Sequence, residues 1–305
     1  MNRIRALVRN RNFIMILALV VGMAWDKGAF LAKDAILPCL AIIMTLSTMG
    51  ITGAAFRSFG AMIRPAVAGV VASYVYQGGV LLLLNGLFIH NNNFWTGFIL
   101  LAAVPPAVAV IPFSFFLKGD IDFALIGTIG GYLGALFLTP LIAVIFLGSG
   151  FISPVKVFVI LIELIIAPLI VSRLLIMVDL ARRIEPVKGT IINWSFFILV
   201  YTITGLNRTI ILQNPLSLVS VTLIALFSMF ALGWIIEKSG NALKIDSRVV
   251  TSLVLLGTYK NYGLAGGLSL VFFNPETAVP ATVTSTISIL YIIYLEIKGR
   301  RKAAS

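Results

Sequence analysis

Ten apolar runs follow one another along this chain, most of them near the length a helix needs to cross a bilayer. They fall at about 13–25, 35–55, 65–89, 94–117, 121–147, 154–177, 190–212, 216–236, 249–273 and 277–297. Roughly 20 apolar residues make a helical span, and lipid admits only helices and closed barrels because every backbone polar group must be satisfied internally. Of the 305 residues 60% are hydrophobic and only 11% are charged, so the solvent for most of the surface is lipid. The expectation is one all-α integral membrane domain, 1–305, of ten transmembrane helices, with no room left for a soluble domain.

A net charge of +12 invites a nucleic-acid reading. The placement of the charges argues against it, because Lys and Arg sit in short clusters between apolar runs, where they set orientation. With the N-terminus inside, eighteen of the 23 fall on the inner side: Arg3, Arg5, Arg9, Arg11, Arg57, Arg64, Lys118, Arg173, Arg182, Arg183, Lys188, Lys238, Lys244, Arg248, Lys298, Arg300, Arg301 and Lys302. Four fall outside, Lys27, Lys33, Lys156 and Arg208. That asymmetry predicts a multi-pass protein of the cell membrane with both termini cytoplasmic and the lipid bilayer as its main partner. The basic start and short apolar core of the first 25 residues lack a clear small-x-small cleavage site, so they read as a retained first helix. A single Cys39 and a single His90 exclude familiar zinc chemistry, and no cofactor or metal site is expected.

Lys260 is the one cation left over. It lies in "LGTYKNYGLAGGLSL", Leu256–Leu270, with no other formal charge between Arg248 and Glu276. A shift of 154 residues lays Val104–Thr128 over Thr258–Thr282, so that Asp122 falls on Glu276, Ala124 on Ala278 and Thr128 on Thr282. Five spans per half force two such repeats, about 1–147 and 154–305, into opposite orientations. Inverted repeats with broken helices place a transport site at the breaks.

Both breaks are legible. In span 4, Pro105 and Pro106 stand in tandem and Pro112 follows. Each removes a backbone donor and clashes with the preceding turn, so the helix should stop there. In span 9, Gly257, Asn261, Gly263, Gly266 and Gly267 make the backbone permissive and allow another helix close. If spans 4 and 9 cross at these points, half-helix ends meet at Lys260, C-terminal carbonyls favouring cations and N-termini anions. Thr258 and Tyr259 would line the break, and Asn261 would cap or bridge it.

The proline turn followed by "KGDIDFAL", the "TPL" at Thr139–Leu141, "KNYGLAGGLSLVFF" in span 9 and the later "AVPATV" resemble the bile acid:sodium symporter family. The resemblance implies a panel of spans 1, 2, 6 and 7 beside a core of spans 3–5 and 8–10, with alternating access by rocking about the crossing. It implies organic anions, steroid conjugates or small carboxylates, as substrates. Sodium-coupled members carry a Ser-Asn pair after the span-4 turn, where this chain has Val110 and Ile111. They carry a Glu in span 9 where this chain has Leu256, and a Gln four residues later where it has Lys260. These exchanges remove hard oxygen ligands and add a like charge, so sodium coupling of the ordinary kind is not expected. Gln77 in span 3 is a further candidate at the crossing.

Three readings of Lys260 stay open. Its ammonium replaces the sodium against unwound carbonyls; a fixed charge then gives a uniporter, and one that releases its proton gives coupling to protons. It binds the substrate anion directly. Or it pairs with Glu163, the one acid well inside an apolar run. An enzyme is not expected, for no nucleophile–base pair or second deep acid accompanies Glu163. An auxin-efflux-type carrier on the same crossed-helix plan is the nearest rival. The reading is a sodium-independent secondary transporter of organic anions, its site formed by Lys260, Asn261, Tyr259, Thr258, Pro105, Pro106, Val110, Ile111, Gln77 and Glu163.

Overall fold

The computed structural model describes residues 10–49, 59–148, 155, 159, 162–213 and 215–304. The far part of span 2, most of 154–161 in span 6, and Arg3, Arg5, Arg9, Arg57 and Lys156 lie outside these residues. Among the described residues all regular structure is helical.

Helix starts follow side-chain caps that the sequence supplies. Asn10 opens α1 (Arg11–Ala24) by accepting from the amide of Phe13. After Trp25 the chain bends by 116° into α2 (Lys27–Ala32) and a 3-10 turn, Lys33–Ala35, before α3 (Ile36–Thr48). Expected span 1, 13–25, is therefore the 14-residue helix α1, and the sharp bend follows it.

At expected span 3, α4 (Phe59–Val70), a π-helical stretch, Val71–Gly78, and α5 (Gly79–Phe88) follow one another without a break. Asn91 caps α6 (Asn92–Ala103) by accepting from the amides of Asn93 and Phe94, and the helix ends at Val104, before the tandem prolines. The chain resumes as α7 (Val110–Phe116), and Asp120 then caps the long α8 (Ile121–Leu147).

A second π-helical stretch, Ile162–Ile166, leads into α9 (Ala167–Met177), followed by α10 (Leu180–Leu206) and α11 (Arg208–Gln213). The next span is α12 (Ser217–Leu226), a third π-helical stretch, Phe227–Ala231, and α13 (Leu232–Ala242). Asp246 caps α14 (Ser247–Leu256), Asn261 caps α15 (Tyr262–Phe272), and a 3-10 turn, Pro275–Ala278, leads into α16 (Val279–Ala304).

Among the described residues five helices are long and apolar enough to cross a membrane, Met62–Phe88, Ile121–Leu147, Leu180–Leu206, Ser217–Ala242 and Pro275–Gly299, and the bent pair Phe13–Ala24 and Lys27–Ala35 would make a sixth if it is one span. The five coincide with expected spans 3, 5, 7, 8 and 10. Where spans 4 and 9 are expected, the chain forms two pairs of short helices, α6 with α7 and α14 with α15, each about a break at the prolines or glycines. Large apolar side chains face outward along these helices, Phe137 at 72% exposure and Leu83 at 62% among them, which suits a lipid environment.

Packing falls into two groups. In one, α10 runs along α1, α2 and α3, with α9 against α3. In the other, α4, α6 and α7 pack on α8, α13 on α14, and α12 on α16. Helices α4 and α8 approach so closely that a Cβ on Gly69 would lie 2.1 Å from the carbonyl oxygen of Gly127. Backbone contact of this kind needs small residues at the seam. The two groups meet where α3 and α10 pack on α15, and where α10 packs on α16.

Candidate functional site

The two breaks cross. Between them runs a two-residue antiparallel bridge, Pro106 opposite Lys260. The Ala107 amide donates to the carbonyl of Tyr259 at 2.9 Å, and the Asn261 amide donates to the carbonyl of Pro105 at 2.9 Å. Pro106 and Lys260 are the pair that the 154-residue shift makes equivalent.

Three carbonyls at the end of α6 are taken up by side chains from other segments. Pro106 has no N–H, so the carbonyl of Ala102, four residues back, loses its helical donor. The Ala107 amide has turned to Tyr259, so the carbonyl of Ala103 loses its own. Lys260 Nζ donates to the carbonyls of Ala102 at 2.9 Å and Val104 at 2.8 Å. Thr139 Oγ1, reaching across from α8, donates to the carbonyl of Ala103 at 2.6 Å. The third face of the ammonium lies on the ring of Tyr74, 4.3 Å from its centroid. Tyr74 is held in place by a hydrogen bond from its hydroxyl to the carbonyl of Gly131, at 3.2 Å.

Lys260 is sealed at 0% exposure. An ammonium at membrane depth costs about 2.5–3.5 kcal/mol on insertion scales. Two hydrogen bonds made by a charged donor contribute about 1.5–3 kcal/mol each, and a desolvated cation–π contact about 2. Added to these is the favourable placement of a cation at the negative end of α6. The two carbonyls and the ring face offset part of that cost, in the place a carboxylate partner would take.

The pairing with Glu163, one of the three readings of Lys260, is not seen in the geometry. Glu163 is exposed on the π-helical stretch that precedes α9, and no salt bridge joins it to Lys260. Among the described residues the ion pairs are Lys188–Glu185 and Lys298–Glu237. Arg173, another partner considered for Glu163, donates from Nη2 to the carbonyl of Thr48 at 2.6 Å.

The other expected residues divide. Pro105, Pro106 and Asn261 build the crossing. Asn261 accepts from the Leu264 amide at 3.0 Å and donates to the Tyr132 hydroxyl at 2.9 Å and to Met44 Sδ at 3.4 Å. Thr258 and Tyr259 are buried beside the break, but their hydroxyls turn elsewhere. Thr258 bonds back to the carbonyl of Val254 and Tyr259 reaches the carbonyl of Ser288. Val110, fully buried, and Ile111 form the start of α7 and bring no polar atom to the crossing. Gln77 lies at 0% exposure in the π-helical stretch, and neither its amide nitrogen nor its oxygen has a hydrogen-bond partner. Its neighbour Gly78 lies against the ammonium, a Cβ there falling 3.9 Å from Nζ. Thr128, by contrast, bonds to its own helix at Ala124.

Three side chains at the crossing were not singled out from the sequence for this role: Tyr74, Tyr132 and Met44. Tyr74 stands one turn before Gln77 and has no local signal of its own. Tyr132 follows Gly130 and Gly131, and that small pair marks where α8 meets the crossing: a Cβ on Gly131 would lie 2.4 Å from Pro106 Cδ. Met44, on α3, comes from the other packing group and touches Asn261 and Tyr132 where the groups meet.

Among the described residues no group of three His, Cys, Asp or Glu side chains converges as a metal site. Cys39 is a buried free thiol and His90 is exposed. Compared with known families and with curated proteins, the chain finds no match: no family model fits it and no curated relative reaches significance.

Proposed function

We propose that this chain is a ten-span, sodium-independent secondary transporter of organic anions in the cell membrane, with the Lys260 ammonium standing where related carriers hold an ion. The observation that carries the reading is the ammonium on the C-terminal carbonyls of a broken helix, where a coordinated cation belongs on electrostatic grounds. The alternative in which Lys260 grips the substrate directly is disfavoured, since a side chain at 0% exposure has no open face.

Two features support an inverted-repeat plan with panel and core. The bridge joins Pro106 to its equivalent under the 154-residue shift, as a two-fold axis through the crossing requires. The same shift carries the π-helical stretch 227–231 onto 73–77, inside the π-helical stretch of the third span. π-Helical turns concentrate at functional sites.

The substrate anion would meet the crossing from the side of Asn261 and Tyr132. Both are 8% exposed, and both contact α3 of the opposing group through Met44. A thioether is a weak acceptor, so the Asn261 amide and the Tyr132 hydroxyl would pair better with a carboxylate or sulfonate oxygen. Moving α3 and α10 off α15 would open that route.

The test is thermal unfolding of purified wild type and Lys260→Gln against a panel of organic anions, in sodium and in choline buffer. A ligand that binds only the folded state raises the midpoint, by about 2.7 kcal/mol of stabilisation at a hundred times its dissociation constant. Equal stabilisation of wild type in both buffers, lost in the variant, supports the reading. Stabilisation of wild type by sodium alone overturns it.

A further inference from the structure

A cavity of about 300 Å³ opens among four segments at the end of the bundle that carries Lys118 and Lys298. It lies between the turn after α7, α13, α14 from Ser247 to Val254 and α16 near Leu295–Gly299, and takes nothing from α1, α3, α9 or α10. It is therefore distinct from the Asn261–Tyr132 face of the crossing. The volume falls at the lower end of the range for small-molecule sites.

Its lining has two characters. Leu117, Val250, Val254 and Leu295 form an apolar wall, with Val250 and Val254 buried at 3% and 6% exposure. Lys118, Asn241 and Ser247 bring three side-chain donors to the rim, and none has a side-chain hydrogen bond among the described residues. The remaining charges on the lining, Glu237 and Lys298, are paired with each other. Lys118 thus leaves the cavity with one uncompensated positive charge.

The backbone sets the direction in which the exposed Lys118 side chain leaves the turn. Lys118 has φ +58°, the left-handed conformation, at the turn between α7 and α8. A β-carbon residue pays strain there, so the side chain's starting direction is set by the turn. The turn is itself tied down: the Asp120 amide donates to the carbonyl of Arg248 at 3.0 Å, and Ser252 Oγ donates to the carbonyl of Asp120 at 2.7 Å.

We propose that this cavity is a second binding site, for a singly charged anion with a short apolar body. The charged end would sit on Lys118 with Asn241 and Ser247, and the body on Val250, Val254 and Leu295. Phosphate diesters have this chemistry, whether free in solution or as the headgroup of an acidic lipid. An occupant would bridge the second half of broken span 4 to the first half of broken span 9. The floor residue Val254 accepts from Thr258, two residues before Lys260, so the site is one helical turn from the crossing.

The probes are dibutyl phosphate, added to protein in neutral detergent, and phosphatidylglycerol, compared with phosphatidylcholine in nanodiscs. The readout is the thermal midpoint of the full chain. Dibutyl phosphate, phosphatidylglycerol or both should raise the midpoint of wild type. Lys118→Asn, which tolerates the left-handed turn, should weaken apparent affinity at least about tenfold, the equivalent of one charged hydrogen bond, and Lys118→Arg should restore it. A response to the lipid alone identifies a headgroup site, and a response to dibutyl phosphate alone a solute site. Leu295→Trp, which fills the cavity from α16, should abolish both responses and serves if the turn variant fails to fold. No rise with either probe, or an unchanged response in both Lys118→Asn and Leu295→Trp, overturns the proposal.

Discussion

Replacing Lys260 with Met keeps the length of the side chain and removes every donor. Two buried carbonyls, those of Ala102 and Val104, then lose their partner. An orphaned buried acceptor costs about 1–3 kcal/mol, so the pair costs about 2–6. Loss of the contact with the Tyr74 ring adds about 0.5–2 kcal/mol. Against this, the variant no longer buries an ammonium, which returns about 2.5–3.5 kcal/mol. The balance favours wild type by about 2 kcal/mol. Lys260→Gln keeps two amide donors on a shorter stem and should lose less than Lys260→Met. The measurement is reversible unfolding in detergent at fixed pH, with helicity and a tryptophan signal followed together. A Met variant as stable as wild type would mean that Ala102 and Val104 find other donors, and the account of the ammonium as the end cap of α6 would fail.

Further changes probe the surroundings of the same charge. Tyr74→Phe keeps the ring under the ammonium and loses the bond to Gly131, at about 0.5–1.5 kcal/mol, whereas Tyr74→Leu should lose the cation–π contact as well. Thr139→Val orphans the carbonyl of Ala103, and its unfolding cost should not add to that of Lys260→Met, because both cap one helix end. Gly69→Ala would press a methyl onto the backbone of Gly127, so α4 and α8 must separate and the protein should lose more than about 2 kcal/mol or fail to assemble. Gly189→Ala, which meets nothing within 4 Å on α10, should instead stabilise by about 0.5–1 kcal/mol; thermal midpoints of the two glycine variants give the comparison.

The breaks were legible because proline, glycine and asparagine act on the backbone next to them; other helix starts turn out to use the same kind of side-chain cap. Pro105 and Pro106 end α6, and Asn91, Asp120, Asp246 and Asn261 each open a helix by a side-chain cap. Lys260 was legible as an anomaly of charge. Its partner was not, for a carbonyl oxygen has no letter in a sequence: a search among side chains returns Glu163, while the acceptors belong to Ala102 and Val104. Tyr74, Tyr132 and Met44 reach the site from three other helices, so only packing reveals them. Thr258 and Tyr259 lie beside the break as expected, but helical and interhelical carbonyls claim their hydroxyls.

A diffusible cation bound at the end of α6 would stabilise the crossing by an amount that grows with its concentration outside the protein. The cation here is joined to the chain by four methylene groups, so its local concentration is fixed by geometry and does not follow the medium. The slope of crossing stability against the logarithm of sodium concentration should therefore be zero. The two half-helices are held together from the moment the chain folds, in dilute and in concentrated salt alike.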